Sequence, residues 1–220
     1  SMYGSYVAVG APDYDGNSTE QGKAYVFYYH YLSCGGACDA DIWTRSHNLS
    51  SSSPAENEYF GAALVLGDKL LVVGVPGYND TDVNNNIIRE SIGNIRTYTT
   101  TGSIARNDFS NTSTGLYRAE VLSGGVNFGR KTFYDKDENE LIISAYGENK
   151  VYIYTSQDLY WIQKQVLSQT SGSFGYDMDW DDDRLVIGAP DTDKVYIYER
   201  VAGTWTLKTT IEGLTGVDSF

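Results

Sequence analysis

The feature that most constrains the fold of this chain is an internal repeat. Four landmarks recur in the same order: a Phe-Gly pair, an apolar run ending in Gly-Ala-Pro or a variant of it, a segment alternating with tyrosine, and a segment with Trp or Tyr. Phe128, Phe174 and Phe220 lie 46 residues apart each time. A period of this length indicates an array in which each unit buries its apolar surface against its neighbours.

Four copies of the unit can be aligned. The most regular copy contains Phe174-Gly175, Leu185–Pro190, Lys194–Tyr198 and Thr204–Thr206. The first copy begins at its second strand, Val7–Pro12, with no Phe-Gly ahead of it, and Ser219-Phe220 resembles the start of a further copy. The predicted repeats of this single segment, 1–220, are 1–59 (first strand missing), 60–127, 128–173 and 174–220.

Each copy is predicted to form four short strands joined by turns. Residues two apart in a strand face the same side, so Val195 and Ile197 face one side and Tyr196 and Tyr198 the other. Two uncharged faces are typical of a propeller blade packed between neighbours. In Gly-Ala-Pro the glycine permits either a special backbone geometry or a close approach that a side chain would block, and the proline ends the strand. We therefore predict an all-β fold, a β-propeller of about four four-stranded blades.

These landmarks resemble the FG-GAP repeat over essentially the whole chain. That family builds the seven-bladed head of integrin α subunits and many microbial and algal surface proteins. The resemblance implies a larger ring, adhesion or ligand recognition through loops on one face of the disc, and calcium in some hairpins between first and second strands. It predicts an extracellular, non-catalytic interaction module with a protein or glycan ligand.

Two other classes of function remain open. A lectin-like, carbohydrate-binding propeller would carry one aromatic pocket per blade. A structural or accessory domain of a larger surface protein or enzyme would have its chemistry elsewhere, or would self-associate through open blade edges. Enzymatic activity is not expected, because only His30 and His47 titrate near neutral pH and no serine or cysteine lies in a nucleophile motif.

The net charge of −13 opposes binding to nucleic acid or to an anionic membrane. No apolar stretch approaches the roughly 20 residues that span a bilayer, so membrane insertion is not expected. Cys34 and Cys38 enclose a short flexible spacer, which predicts a local disulfide, with free thiols as the alternative. Four glycosylation sequons begin at Asn17, Asn48, Asn79 and Asn111. Together with the cysteines they favour an extracellular or cell-surface location.

Two acidic segments are candidate calcium sites, and no other cofactor is expected. Calcium binds closely spaced carboxylate, amide and carbonyl oxygens. The candidate ligands are Asp135, Asp137 and Asn139 in one segment, and Asp13, Asp15, Asn17 and Glu20 around Gly16 in the other. A solvated acidic turn is the alternative for both, because turns select the same residue types.

Ligand-binding residues are expected where the repeats differ, since insertions in a repeat array form loops. The insertions are 28–41, 77–93 and 99–115, and they supply Tyr31, Ile87 and Ile88 as candidates. Trp180 lies among aspartates and is predicted to be an exposed recognition residue at a hairpin tip. Three other tryptophans recur at one point of the repeat, so packing is expected for them: Trp43, Trp161 and Trp205.

Overall fold

The computed structural model describes residues 1–32, 40–51, 54–67, 70–81, 84, 87–100, 116–157 and 160–213. The chain forms four antiparallel sheets of four strands each and one separate two-stranded hairpin. The predicted all-β fold is thereby confirmed, and the arrangement of the sheets is propeller-like. Within the described ranges the sheets do not close into a ring.

Each sheet is a meander of strands that are consecutive in the chain, apart from the inserted hairpin. Sheet 1 contains β1 (Met2–Tyr3), β2 (Tyr6–Ala11), β3 (Lys23–Leu32) and β4 (Ala40–Leu49). Sheet 2 contains β5 (Leu64–Leu66), β6 (Leu70–Val75), β9 (Asn94–Thr100) and β10 (Leu116–Ser123), with β7 (Asp80–Thr81) and β8 (Ile87–Arg89) forming the hairpin. Sheet 3 contains β11 (Thr132–Asp135), β12 (Glu140–Ala145), β13 (Lys150–Gln157) and β14 (Tyr160–Ser168). Sheet 4 contains β15 (Met178–Asp181), β16 (Arg184–Ala189), β17 (Lys194–Val201) and β18 (Thr204–Glu212). Short 3-10 turns at Tyr146–Glu148 and Pro190–Thr192 precede β13 and β17.

Sheet 1 differs from the sequence prediction, which assigned it no first strand. Met2 pairs with Val7 and Tyr3 pairs with Tyr6, so a two-residue first strand is present. Gly4 makes the tight turn between these strands with a φ of +54°. A strand of two residues is too short to give an alternating pattern, which explains why the sequence did not indicate it.

The apolar core lies between consecutive sheets. Three buried clusters join sheet 1 to sheet 2, sheet 2 to sheet 3, and sheet 3 to sheet 4. Every residue of β6 and β12 is buried, because the inner sheets are covered on both faces. In β16, Leu185 and Ile187 are buried whereas Val186 is 36% exposed. Sheet 4 therefore packs against sheet 3 through one face only.

The Phe-Gly pairs pack each sheet against the one before it. Phe60, Phe128 and Phe174 are fully buried. A Cβ added to Gly10 would lie 2.0 Å from the carbonyl oxygen of Gly61, far inside contact distance. A close backbone approach at the glycine of Gly-Ala-Pro is thereby confirmed, and it explains why the two landmarks recur together.

Candidate functional site

The repeats differ most at one edge of sheets 1 and 2. In an antiparallel meander, the loop between the second and third strands and the connection to the next sheet emerge at the same edge. Sheets 1 and 2 carry long loops there, residues 12–22 and 76–93, whereas sheets 3 and 4 have only the 3-10 turns. We call the described parts of 12–22, 50–59 and 76–93 the loop edge.

Backbone hydrogen bonds join the segments of the loop edge. The Asn57 N–H donates to the Thr19 carbonyl at 3.0 Å, and the Gly77 N–H donates to the Glu58 carbonyl at 3.1 Å. The Tyr59 hydroxyl donates to Glu20 Oε2 at 2.6 Å, and this contact raises the pKa of Tyr59. The loops of two neighbouring sheets thus form one continuous surface.

The first loop is organised by Gln21, a residue that the sequence analysis did not single out. Its side chain is buried, and Oε1 accepts the N–H groups of Asn17 and Ser18, each at 3.1 Å. Asp15 Oδ1 accepts the Glu20 N–H at 2.8 Å. The only sequence signal for Gln21 is its position directly before Gly22, where the loop returns to β3.

The first predicted calcium site is not assembled. Glu20 is bound by Tyr59, and Asp15 is bound by the backbone of its own loop. Within the described ranges, no three His, Cys, Asp or Glu side chains are placed to hold a metal ion. Asp13, Asp15 and Glu20 therefore share a loop with Asn17 without forming such a group of carboxylates.

The second predicted calcium site contains an arginine instead. Asp135 Oδ2 accepts a hydrogen bond from Arg200 Nη2 at 2.5 Å, and Asp135 Oδ1 accepts the Asp137 N–H at 2.9 Å. Asn139 Oδ1 accepts the Tyr134 hydroxyl at 2.9 Å. These residues do not fit a calcium ion, because a guanidinium already supplies the positive charge and a turn uses the remaining oxygens.

Arg200 is the centre of a buried ionic cluster between sheets 3 and 4. Its side chain is 5% exposed, and the Glu140 side chain is fully buried, with Nη2 at 3.6 Å from Glu140 Oε2. Lys164 binds the other oxygen of Glu140. The guanidinium also lies over the Trp205 ring, 4.6 Å from its centroid. The cluster holds two neighbouring sheets together through charge.

Trp180 is not the exposed residue at a hairpin tip that the sequence predicts. It lies in β15, pairs with Leu185 and is half-buried against the core between sheets 3 and 4. Strand alternation puts Trp180 on the same inward face as Met178, while the turn itself is at Asp182. Because aspartates alternate with Met178 and Trp180, the sequence suggested a polar turn where the structure has a short amphipathic strand.

The other predicted ligand-binding residues lie apart from one another. Ile87 is 53% exposed in the hairpin of the loop edge. The side chain of Ile88 lies outside the described residues. Tyr31 is 59% exposed near the end of β3, at the opposite edge of sheet 1. The loop edge therefore contains the predicted residues of the first loop together with Ile87, but not Tyr31.

The three recurring tryptophans have different surroundings. Trp205 is buried and Trp161 packs edge-on against Tyr134, so the packing expected for these two is confirmed. Trp43 is 51% exposed. It contacts Tyr29 with ring centroids 5.2 Å apart, and the pKa of Tyr29 is raised by a hydrogen bond with Asp41. The packing expected for Trp43 is therefore not found.

The features used to infer an extracellular location are only partly described. Cys34, Cys38 and Asn111 lie outside the described residues. Asn17 and Asn48 are exposed, and half-buried Asn79 accepts the Ser91 N–H through Oδ1 at 2.7 Å. Among the described residues, no helix is long and apolar enough to cross a membrane.

His47 is buried where the fourth strand of sheet 1 meets the connection to sheet 2. It is 5% exposed, and burial lowers its pKa to about 4. His30 is half-buried and lies 2.9 Å from Thr44 Oγ1 through Nε2. Since the imidazole of His47 is neutral in the folded chain at neutral pH, it is a packing group under these conditions.

Acidification should destabilise the chain through His47. In the folded chain His47 resists protonation, whereas in the unfolded chain it becomes protonated near pH 6.5. The stability that neutral His47 contributes is therefore fully present above pH 6.5 and is lost as the pH falls. The expected loss is about 3 kcal/mol by pH 4, from the two pKa values. Burial raises the pKa of Glu58, which acts in the opposite direction. Urea unfolding of wild type and His47→Gln isolates the histidine, and parallel pH profiles would contradict the prediction.

Neither a protein-family model nor a curated protein matches this sequence. The resemblance to FG-GAP repeats therefore depends on the recurring landmarks. In the structure these landmarks are the contacts between consecutive sheets: the buried phenylalanine and the two glycines in close approach.

Proposed function

We propose that this chain is an FG-GAP-type propeller segment that acts as a non-catalytic extracellular recognition module, with the loop edge as its ligand-binding surface. The observation that carries the proposal is the backbone hydrogen bonding between the loops of sheets 1 and 2. Loops held on a rigid scaffold are common binding sites, because the scaffold fixes their shape before the ligand arrives.

The chemistry of the loop edge favours a basic, partly apolar polypeptide. Asp13, Asp15, Glu56 and Glu90 are exposed there, together with Ile87. Exposed carboxylates attract cationic groups over a distance, and the net charge of −13 strengthens this field. An exposed aliphatic side chain among charges then supplies the apolar contact typical of the centre of an interface.

Aromatic rings of the loop edge are engaged, which makes a sugar ligand less suitable there. Lys23 lies over the Tyr14 ring at 4.0 Å from its centroid, and Tyr59 is bound to Glu20. Tyr78 packs against the core between sheets 1 and 2. These three residues therefore offer no free ring face on which a sugar could stack.

Carbohydrate binding is the second candidate, and the exposed pair of Tyr29 and Trp43 favours it. Their rings lie on the face of sheet 1 that points away from sheet 2, and Asp41 beside them adds a hydrogen-bonding group. The equivalent residues Trp161 and Trp205 pack in the interior, however. Tryptophan at this point of the repeat therefore serves packing in the other sheets, and the loop edge remains the stronger candidate.

The two candidates are separated by two variants of the full chain. The edge variant combines Asp13→Lys with Ile87→Ser, and the face variant is Trp43→Ser; all of these side chains are exposed. Arrays of recombinant extracellular domains and of glycans are probed with wild type and both variants. We expect a protein ligand whose affinity falls at least about tenfold in the edge variant, equal to about 1.4 kcal/mol, and is retained in the face variant.

The salt dependence provides a further check, because an acidic surface should bind more weakly as salt increases. Glycan binding that is lost only in the face variant would replace the loop edge by the Tyr29–Trp43 pair. Protein binding that is equal in all three chains would contradict both candidates.

A further inference from the structure

One buried position in the third strand of sheet 2 departs from the repeat. The other three sheets have a tyrosine at this position, Tyr25, Tyr152 and Tyr196, whereas sheet 2 has Arg96. Arg96 is 5% exposed. Because a charge that is removed from water is costly unless it is paired and hydrogen-bonded, a buried arginine at this position needs partners that a tyrosine does not.

Arg96 packs on the phenylalanine of its Phe-Gly pair, as the equivalent tyrosines of sheets 3 and 4 do. In sheet 3, Tyr152 lies edge-on to Phe128 with ring centroids 5.4 Å apart, and sheet 4 repeats this contact. The Arg96 guanidinium lies over the Phe60 ring, 5.5 Å from its centroid. Arg96 therefore keeps the packing position of the tyrosine and adds several hydrogen-bond donors.

Arg96 binds the chain segment that connects sheets 1 and 2. Its Nη2 donates to Ser51 Oγ at 3.0 Å, and Ser51 Oγ donates to Glu58 Oε1 at 3.4 Å. Ser51 and Glu58 are almost fully buried. Burial raises the pKa of Glu58, and the positive charge of Arg96 opposes this rise. We call Arg96, Ser51 and Glu58 the arginine clamp.

The connection that the arginine clamp holds is longer than the two later connections. From the end of sheet 1 to the next Phe-Gly pair it extends over 50–59, whereas the later connections extend over 124–127 and 169–173. Ordering a longer segment costs more conformational entropy. The guanidinium fastens one end of the connection directly and the other end through the Ser51 hydroxyl, and these contacts offset part of that cost.

The clamped residues adjoin the hydrogen bonds that join the loop edge. Asn57 and Tyr59 donate their N–H groups to carbonyls of the first loop, and Gly77 donates its N–H to the Glu58 carbonyl. A Cβ on Gly77 would lie 1.7 Å from the Asn57 oxygen, so the connection and the second loop are in close contact. The position of Glu58 therefore determines where both loops lie.

We propose that Arg96 is a positioning residue of the loop edge, which holds the connection 50–59 in the place where it joins the loops of sheets 1 and 2. This role in ligand binding rests on the proposed function, but the effect of Arg96 on the loops can be measured without a ligand. A tyrosine at this position would still pack on Phe60, but its single hydroxyl group cannot supply the charge and the several donors of a guanidinium.

Hydrogen exchange of single backbone amides, followed by NMR on the full chain, tests this role. Arg96→Tyr gives sheet 2 the residue of the other sheets, so packing on Phe60 is kept and the arginine clamp is lost. The reporter amides donate hydrogen bonds across the loop edge: Asn57, Tyr59 and Gly77. The reference amides donate hydrogen bonds in sheet 4: Gly175 and Gly188. We expect the reporter amides to exchange at least about tenfold faster relative to the reference amides, the effect of losing a hydrogen bond to a charged group.

Arg200→Met is the matched control, because Arg200 is a buried arginine between sheets 3 and 4. Its loss should destabilise the chain without raising the exchange of the reporter amides relative to the reference amides. Adding Glu58→Gln to Arg96→Tyr removes the carboxylate charge that has lost its partner. This double variant provides the test if Arg96→Tyr alone does not fold, and its reporter amides should also exchange faster, because the guanidinium is still replaced.

An unchanged exchange ratio in Arg96→Tyr and in the double variant would overturn the proposal, and so would an equal rise of the ratio in Arg200→Met. The array of recombinant extracellular domains tests the consequence for binding: affinity should fall at least about tenfold in Arg96→Tyr and be retained in Arg200→Met. A ligand of the loop edge that Arg96→Tyr binds as wild type does would overturn this consequence. Faster exchange of the reporter amides in Arg96→Tyr, with no ligand found on the array, would support the positioning role and contradict the proposed function instead.

Discussion

Replacing Arg200 with methionine should lower the free energy of unfolding by about 3 kcal/mol, because buried Asp135 loses its counter-charge while Glu140 keeps only Lys164. Asp135 and Glu140 both lie against the guanidinium, and their side chains are almost fully inaccessible to water. The methionine can still pack on the Trp205 ring, so the loss measures charge rather than volume. Urea unfolding followed by tryptophan fluorescence provides the measurement.

Lys208→Met is the matched control for Arg200→Met. Lys208 pairs with Glu199 at 3.1 Å on the same sheet, but its side chain is largely exposed, so its loss should cost no more than about 1 kcal/mol. Adding Asp135→Asn to Arg200→Met should recover part of the lost stability, because the uncompensated charge is removed. Equal effects of Arg200→Met and Lys208→Met would contradict the role given to the cluster.

The repeat pattern predicted the sheets apart from the first strand of sheet 1, because every copy must bury its apolar residues against its neighbours. Strands such as Lys194–Val201 alternate in side-chain direction, and both faces of the inner sheets are covered by neighbours. The spacing of Phe174 from Phe128 measures one complete unit. Of the two roles expected for the glycine of Gly-Ala-Pro, a close approach is found at Gly10, and its partner, the glycine of the next Phe-Gly pair, emerged only from the structure.

The arginine at the second predicted calcium segment is a feature that local sequence cannot reveal. Asp135, Asp137 and Asn139 have the alternate spacing of a calcium loop, but the same spacing suits a turn in which Asp135 Oδ1 accepts backbone N–H groups. What decides between them is Arg200, which is distant in the chain and belongs to the next sheet. Only the stacking of the sheets brings the guanidinium to the carboxylate.

One of the three insertions in which ligand-binding residues are expected lies in the loop edge. The insertion at 77–93 correctly indicated where the repeats differ, and Ile87 is exposed there. The hydrogen bonds that join this region to the first loop pass through Asn57 and Tyr59, in a connection without a recognisable motif. Backbone groups contribute most of these bonds, and a sequence carries little information about them.

Two equivalent glycines should respond very differently to alanine. A Cβ on Gly74 would lie 2.0 Å from the Gly129 carbonyl oxygen, so Gly74→Ala must separate sheets 2 and 3 and should cost about 3 kcal/mol. A Cβ on Gly188 would meet the Asp177 oxygen at 3.5 Å, which is ordinary contact. Because alanine also loses less chain entropy than glycine, Gly188→Ala should be neutral or stabilising by up to about 1 kcal/mol.

Sheet 3 provides a comparison for these two glycines, because the equivalent residue, Ser144, already has a Cβ. A Cβ on Gly175 would lie 3.5 Å from Ser144 Cβ, so this pair of sheets accommodates a side chain that the tighter pairs exclude. The cost at Gly74 therefore reports the close approach itself. Thermal and urea unfolding of both alanine variants would decide the matter: equal stabilities would mean that the glycines do not set the spacing of the sheets. If Gly74→Ala does not fold, Gly10→Ala tests the same contact between sheets 1 and 2, where the Gly61 oxygen again lies at 2.0 Å.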